Sequence, residues 1–379
     1  MTAAAPLKFA SPLLDEATVA AAADVLRSGH ITSGPWVERF EVALSAHCDG
    51  RPVRVLTSAT AAVEVALQLA GIGSGDEVIT CAQSFFTVLN MIARVGATPV
   101  FVDCVPVTRN IDLDQVEAKI GPRTRAIIPT HWPGSLADLD ALYALAKRHN
   151  LRVIEDAALV LGSRYRGRAV GAIGDLVTFS FHPNKNITSI EGGAIVCNDA
   201  GEAKRIDVLR FHGIERLQDG TRDVAFPGGK FNLPDVNARI GVDQLARLPA
   251  FLAKRRALVE RYFARFDTTP RCTLPPRPVD GDGQSWNMFA ILLPLDRMKS
   301  SRKAFRDALA ARGIATGVSY EALHLSTLGR RFGYREGDLP HTERIAASTV
   351  TLPLHAGMSQ DDVDRVCDAC AAVLAQAAA

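Results

Sequence analysis

Residues 179–186, Phe-Ser-Phe-His-Pro-Asn-Lys-Asn, followed by residues 191–194, Glu-Gly-Gly-Ala, are the stretch that decides the fold of this chain. Residues 176–181 are apolar and rich in β-forming side chains, which predicts a short buried strand. Pro183 and Asn184 end that strand and leave Lys185 at its carboxyl end. Sites form at the carboxyl ends of strands in open α/β sheets. We therefore interpret Lys185 as a site residue rather than a solvated surface charge.

An aspartate upstream indicates which chemistry Lys185 supports. Asp156 follows Arg-Val-Ile-Glu at 152–155, which predicts a strand end, and precedes two alanines, and a buried carboxylate at such a position needs a cationic partner. Pyridoxal phosphate (PLP) requires a lysine that holds it as an imine and an anion that keeps its ring nitrogen protonated. The two residues together predict a PLP site, although Asp156 taken alone could equally be a helix cap.

The composition sets limits on the class of protein. The chain has 379 residues, of which 47% are hydrophobic and 22% charged, enough for one large domain and a smaller one. A net charge of +2 gives no overall attraction for nucleic acid or an anionic membrane, and no apolar run is long enough to span a bilayer. We expect a cytoplasmic protein with neither partner. The odd number of cysteines favours reduced thiols, and Cys367-x-x-Cys370 lies in a helical pattern, so no metal site is predicted.

Strand and helix patterns alternate between about residues 52 and 200, which predicts an α/β fold with a mostly parallel sheet. Residues 57–62, Thr-Ser-Ala-Thr-Ala-Ala, lie where a strand gives way to a helix, and Ser58 or Thr60 can cap that helix. Such a helix start can bind a phosphate. A proline-rich segment at 270–278 marks a boundary. Beyond it, a strand at 289–293, a helix at 301–312, a strand at 316–318 and a C-terminal helix predict a small α+β domain.

These pieces together resemble the DegT/DnrJ/EryC1/StrS family of PLP-dependent sugar aminotransferases, which have the aspartate aminotransferase fold (fold type I). Ordered motifs carry the resemblance over almost the whole chain. They are residues 28–35, 57–62, 75–79, 129–135, 155–158, 179–193, 228–235 and 316–324. The resemblance implies a large domain over 1–250 with a seven-stranded, mostly parallel sheet, and a smaller C-terminal α+β domain over 251–379.

The resemblance also implies roles for individual residues. Lys185 would form the Schiff base and act as the acid and base, and Asp156 would pair with the ring nitrogen. Further residues implied to contact the cofactor are Ala59, Thr60 and Ser180 at its phosphate, Phe85 on its ring, and Lys230 or Asn232 at the phosphate in the neighbouring subunit. The last pair implies a homodimer with shared active sites. Tyr320 and His324 would lie near the substrate entrance, unless they are simply a packed aromatic and a surface histidine.

The implied activity is transfer of an amino group from an amino acid donor, glutamate by analogy, to a keto acceptor such as a ketosugar or nucleotide-linked ketosugar. Two leucines depart from the family pattern, because Leu159 and Leu161 stand where it usually has Gln and His. Apolar side chains there would suit a less polar ketone. Two further functions stay open on the sequence alone. One is a dehydratase that uses pyridoxamine phosphate (PMP), which typically lacks the lysine, and the second is a non-catalytic PLP-binding regulatory protein.

Overall fold

A computed structural model describes residues 5–267, 272–279 and 282–377. Thirteen strands and twelve α-helices are assigned within these ranges. In the first half of the chain they are α1 (Glu16–Ser28), α2 (Pro35–His47), β1 (Val53–Leu56), α3 (Ala59–Leu69), β2 (Glu77–Cys81), α4 (Phe86–Arg94), β3 (Thr98–Val102), α5 (Leu113–Ala118), β4 (Thr124–Ile128), α6 (Leu139–Arg148), β5 (Arg152–Asp156), β6 (Arg164–Tyr165), β7 (Arg168–Ala169), β8 (Leu176–Ser180) and β9 (Gly193–Val196).

The second half begins with a helix, a hairpin and a very long helix, and then alternates more irregularly. Its elements are α7 (Ala200–Leu209), β10 (Ile214–Arg216), β11 (Arg222–Val224), α8 (Asp235–Asp267), β12 (Phe289–Leu292), α9 (Arg302–Ala310), α10 (Thr327–Arg330), α11 (Pro340–Ser348), β13 (Thr349–Leu352) and α12 (Gln360–Ala377).

Seven strands form the main sheet in the order β1-β9-β8-β5-β4-β2-β3. Strand β9 runs antiparallel to both of its neighbours, and the other pairings are parallel. All five residues of β8 are buried, as expected for a strand whose two faces are both covered by other elements. The predicted α/β class and the mostly parallel seven-stranded sheet are confirmed.

Separate apolar cores lie on the two faces of this sheet and around the smaller C-terminal sheet. The C-terminal core takes side chains from α8, β12, β13 and α12, and it also includes Leu7 near the amino end of the chain. Helix α8 extends over 33 residues and contributes to cores in both halves. The predicted boundary between residues 250 and 251 falls inside this helix, and the division into domains stays a prediction.

One predicted strand is wrong. Residues 316–318 form no regular strand, and the small C-terminal sheet consists of β12 paired with β13. Gly317 makes only an isolated bridge with Thr351 on the other edge of β13. A Cβ atom at Gly317 would lie 2.7 Å from the ring of Phe9, so a larger residue could not occupy this position without a shift. A three-residue run centred on glycine has little intrinsic preference for a strand.

Candidate active site

The site is built on two neighbouring parallel strands of the main sheet. Asp156 is the last residue of β5 and Ser180 is the last residue of β8, and the two strands are paired in parallel. Their carboxyl ends therefore meet at the same edge of the sheet. Beyond β8 the chain turns, with the Lys185 amide donating to the His182 carbonyl at 2.8 Å, and it returns as β9. This turn carries Lys185 to the same edge as Asp156.

A cavity of about 210 Å³ lies at this edge. The structure brings most of the predicted site residues together in its lining. They are Ala59, Thr60, Phe85, Asp156, Leu159, Ser180, Lys185 and Tyr320. These residues come from several separate stretches of the chain, so the cavity exists only in the folded protein.

The amino end of α3 forms one side of the cavity. The Ser58 hydroxyl caps this helix by accepting a hydrogen bond from the Ala61 amide at 3.0 Å. The amides of Ala59 and Thr60 precede the first intrahelical bond and have no protein acceptor within the described ranges. A Cβ atom at Gly193 on β9 would lie 2.3 Å from the Ser58 backbone, so only glycine allows this close packing. The result is an anion site made of free amides.

Asp156 lies at the opposite side and is 5% exposed. Its carboxylate accepts hydrogen bonds from the Ala158 amide at 3.1 Å and from the Thr130 hydroxyl at 3.4 Å. The Thr130 hydroxyl in turn lies 2.6 Å from that of Ser84. Burial raises the pKa of Asp156, and the Ala158 amide and the positive charge of Lys185 oppose that rise. A cation placed against this carboxylate would stabilise its ionised form.

Lys185 is partly buried and lines the cavity, and the desolvation of its amine disfavours the charged form. Desolvation lowers the pKa of its amine from 10.5 to about 8, although the nearby negative charge of Asp156 opposes the change. A substantial fraction of the amine is therefore neutral near physiological pH. A neutral amine is the form that can attack a carbonyl carbon or accept a proton.

Two aromatic rings, those of Phe85 and Tyr320, line the cavity, and Trp132 packs behind Tyr320. The centroids of the Phe85 and Tyr320 rings are 5.4 Å apart, and those of Trp132 and Tyr320 are 5.5 Å apart. Phe85 is 48% exposed in this single chain. Burial raises the pKa of Tyr320, so its hydroxyl stays protonated. An aromatic ligand in the cavity would meet these rings.

Four predicted residues do not line the cavity. His324 is completely buried beside Glu343, whose carboxylate lies 3.0 Å from its Nε2 atom, so it is not the surface histidine that the sequence left open, and its role near the substrate entrance stays a prediction. Leu161 is packed in the core, because residues 157–161 turn after β5 and do not keep the alternation of a strand. Lys230 and Asn232 contact each other outside the cavity, with Asn232 also donating to the Ser33 hydroxyl at 2.7 Å.

Several more lining residues were given no role by the sequence. Thr130 belongs to a motif that was recognised, yet nothing in that motif singles out its hydroxyl as the partner of Asp156. His182 and Glu191 lie at the mouth of the cavity, with 3.9 Å between the His182 ring and the Glu191 carboxylate. The sequence indicated a site role for His182 and Glu191 only through their position close to Lys185.

The DegT/DnrJ/EryC1/StrS aminotransferase family model matches residues 12–371. The chain belongs to this family. Its structure is similar to that of the aminotransferase TlmJ from Streptoalloteichus hindustanus, with 33% identity, 98% and 99% of the two chains covered and a TM-score of 0.90. PseC of Helicobacter pylori, an aminotransferase involved in the biosynthesis of pseudoaminic acid, is 27% identical over 98% of this chain and all of that one, with a TM-score of 0.92.

A third similar structure gives the cofactor. Spr1654 from Streptococcus pneumoniae, provisionally assigned as a sugar aminotransferase, has been solved in PLP and PMP forms. The PLP form is 31% identical, covers 98% and 99% of the two chains and has a TM-score of 0.91. The chain is thus a PLP-dependent aminotransferase of fold type I, as the sequence predicted. No helix within the described ranges is long and apolar enough to cross a membrane.

Proposed function

We propose that this aminotransferase moves an amino group from an amino acid, with glutamate as the first donor to test, to the ketone of a sugar or nucleotide-linked sugar. The observation that carries the proposal is the common cavity of Lys185, Asp156 and the amino end of α3. The sugar acceptor is supported by the relatives, because Spr1654 and CalS13 from Micromonospora echinospora carry that assignment.

The residues in the cavity fit the three functional parts of PLP. The free amides of Ala59 and Thr60, together with the Ser180 hydroxyl, would bind the phosphate. The buried carboxylate of Asp156 would pair with the protonated ring nitrogen, and this pairing removes the cost of leaving a carboxylate buried without a cation. The amine of Lys185 would bond covalently to the aldehyde carbon of the cofactor.

When bound, PLP supplies an electron-accepting ring that stabilises negative charge at the α-carbon of the donor. Asp156 would hold the proton on the ring nitrogen. Once its amine is free, Lys185 would take a proton from the donor α-carbon and pass it to the cofactor carbon that carried the aldehyde, and a pKa of about 8 suits both the uptake and the release of a proton near neutral pH. The rings of Phe85 and Tyr320 would pack against the cofactor and exclude water.

The proposed enzyme works as a homodimer in which each subunit completes the site of its neighbour. Among the described residues that line the cavity, Lys185 is the only lysine or arginine, and its amine is committed to the reaction. A cationic side chain would strengthen the binding of a phosphate dianion beyond what the amides provide. Lys230 is exposed and lies outside its own cavity, as a residue that serves a neighbouring subunit would.

A second candidate acceptor is a ketone that is apolar next to the reacting carbon. Leu159 favours it, because this side chain lines the cavity and offers no hydrogen bond to a sugar hydroxyl. A sugar acceptor carries a hydroxyl on the carbon beside the ketone, whereas the second candidate carries an apolar group there.

Turnover of the purified enzyme in its PMP form distinguishes them. Nucleotide-linked ketosugars, their deoxy analogues and simple alkyl ketones are each added, and the amine product is followed by mass spectrometry while the absorbance of the PLP form returns. We expect the highest kcat/KM with a ketosugar. Efficient turnover of alkyl ketones without turnover of any ketosugar would contradict the sugar assignment and leave the aminotransferase chemistry intact.

A further inference from the structure

Arg255, in the middle of α8, is a buried arginine without a carboxylate partner among the described residues. It is 4% exposed, and burial lowers the pKa of its guanidinium to about 10. Other arginines of this chain that are held in place, such as Arg152 and Arg261, have aspartates at 2.6–2.7 Å. A buried charge without a counterion costs free energy unless hydrogen bonds compensate it.

The guanidinium group binds backbone carbonyls instead. One of its terminal nitrogens donates to the carbonyls of Leu354 at 2.9 Å and Asn287 at 3.1 Å, with a longer contact to that of Trp286 at 3.4 Å. The second terminal nitrogen faces the carbonyl of Lys185 at 3.5 Å. Arg255 thus joins two segments of the C-terminal part of the chain to the turn that carries Lys185.

Arg255 also reaches the Lys185 turn indirectly, through Asn287, and the hydrogen bonds of this path are shorter than the direct contact. The side-chain amide of Asn287 donates to the Asn184 carbonyl at 3.0 Å, while Arg255 holds the carbonyl of the same Asn287. On the far side of the turn, the Asn186 side chain donates to the Leu161 carbonyl at 3.0 Å. Each of the three residues 184–186 is therefore held from a different part of the chain. A hydrogen bond from a charged donor is about twice as strong as a neutral one.

Arg255 is placed to hold the backbone and not to bind a substrate carboxylate. It does not line the active-site cavity, and the small cavity that it does line, together with Lys185, Asn186 and Gln244, has a volume of about 10 Å³. That volume accommodates no more than a single water molecule.

We propose that Arg255 and Asn287 form a clamp that positions Lys185, with Arg255 acting through the carbonyl of Asn287 and more weakly through that of Lys185. The clamp keeps residues 184–186 fixed against the strand ends, so that the amine of Lys185 stays desolvated and directed at the cavity. Both are positioning residues, because neither reaches the reacting atoms. This inference rests on the proposed role of Lys185.

The test uses Arg255→Met, Arg255→Lys and Asn287→Ala, with Arg261→Met as the matched control. Arg261 lies on the same helix and binds Asp364 of α12 through two hydrogen bonds at 2.7 and 2.6 Å, so its loss weakens packing without touching the Lys185 turn. The pKa of the Lys185 amine is measured in the cofactor-free proteins from the pH dependence of its acetylation, by mass spectrometry of the peptide. Thermal unfolding and steady-state kinetics accompany it.

Loosening the turn lets water reach the amine, so its pKa should rise by about one unit in Arg255→Met and Asn287→Ala. We expect kcat to fall about tenfold or more with KM nearly unchanged, and Arg255→Lys to recover part of the loss. Arg261→Met should lower the melting temperature and leave the pKa alone. If Arg255→Met fails to fold, the Lys185 pKa and the kcat of Asn287→Ala and Arg255→Lys test the clamp in its place.

An unchanged acetylation profile and a kcat within about twofold of the parent in the folded variants would overturn the clamp. A failure of the proposed role of Lys185 would give a different result from a failure of the clamp. If Lys185 does not hold the cofactor, Lys185→Ala would still bind PLP covalently.

Discussion

At the scale of single residues, the site depends on two groups that burial pushes in opposite directions. Desolvation lowers the pKa of Lys185 to about 8 and raises that of Asp156. Each group favours the charged form of its partner, yet desolvation dominates both. A bound cofactor with a cationic ring nitrogen and an electrophilic carbon would satisfy both groups at once.

The depressed pKa of Lys185 predicts how cofactor capture depends on pH. The rate at which the cofactor-free protein attaches PLP should increase roughly tenfold per pH unit below about 8 and level off above it, because only the neutral amine reacts. Stopped-flow absorbance measures this rate. A profile that keeps rising towards pH 10.5, the ordinary value for lysine, would show that burial does not act on this amine.

The same shift affects stability with a definite sign. The folded pKa of about 8 lies below the unfolded value of 10.5, so between these pH values the unfolded chain binds more protons. The contribution of this lysine to the free energy of unfolding therefore increases as the pH rises from 8 to 10.5. Measured by urea unfolding, the free energy of unfolding of the parent should therefore increase relative to that of Lys185→Met across that window.

Replacement of Asp156 tests the partner of the ring nitrogen. Asp156→Asn should retain bound cofactor and slow the proton transfer at the donor α-carbon by about a hundredfold or more, because an amide cannot stabilise the protonated ring. Single-turnover absorbance with glutamate measures the step. Thr130→Val, which removes the hydrogen bonds of this hydroxyl to Asp156 and Ser84 but leaves the carboxylate in place, is the control and should have a much smaller effect. Equal rates in Asp156→Asn and the parent would mean that another group pairs with the ring.

At the scale of elements, the strands around the site were predictable and the turns beyond them were not. Strand β8 is a short run rich in apolar and β-forming residues, and β5 carries the apolar pair Val153 and Ile154, so the sequence pattern identifies both. The family pattern implied that Leu159 and Leu161 both lie beside the substrate. The chain turns instead, with the Val160 amide donating to the Ala157 carbonyl at 3.0 Å. Of the two leucines only Leu159 reaches the cavity, because backbone turns depend on contacts that no local pattern contains.

This difference between the two leucines gives a matched experiment on specificity. Leu159→Gln should raise the ratio of kcat/KM for a hydroxylated acceptor over its deoxy analogue by about tenfold, because a hydroxyl beside leucine loses its hydration without gaining a partner, at a cost of about 1–3 kcal/mol. Leu161 is as deeply buried in the same core as Leu159 but does not line the cavity, so Leu161→Gln should lower stability and leave that ratio unchanged. Equal ratios in the parent and Leu159→Gln would show that Leu159 does not contact the substrate.

At the scale of the whole molecule, the ordered motifs predicted the fold and the cofactor, because many of them mark a strand end or a helix start that the sheet must bring together. The C-terminal part was less predictable. Its strand pair joins β12 to β13, which lie far apart in the chain, while residues 316–318, nearer in sequence, make only a bridge. His324 was also misplaced, because its burial depends on Glu343, which no sequence motif relates to it.

The shared dimer site belongs to this scale as well. Lys185→Ala and Lys230→Ala are each expected to be impaired, the first in its own site and the second in that of its neighbour. Mixing the two after dissociation should restore about a quarter of the parent activity, since about half of the dimers formed would be mixed and each would contain one intact site. Lys185 and Asp156 belong to the same cavity of one subunit, so each mixed dimer of Lys185→Ala with Asp156→Asn has two altered sites. This mixture should recover no activity. Absence of recovery in the first mixture, with dimers confirmed by sedimentation, would contradict the shared site.

The central claim is that PLP is held by Lys185 at the end of β8. Borohydride reduction of the PLP-loaded enzyme, followed by proteolysis and mass spectrometry, makes any covalent link permanent and locates it. We predict that the peptide containing Lys185 gains the mass of the reduced cofactor, and that Lys185→Ala gains none under the same conditions. Attachment to another lysine, or equal attachment in Lys185→Ala, would contradict the account.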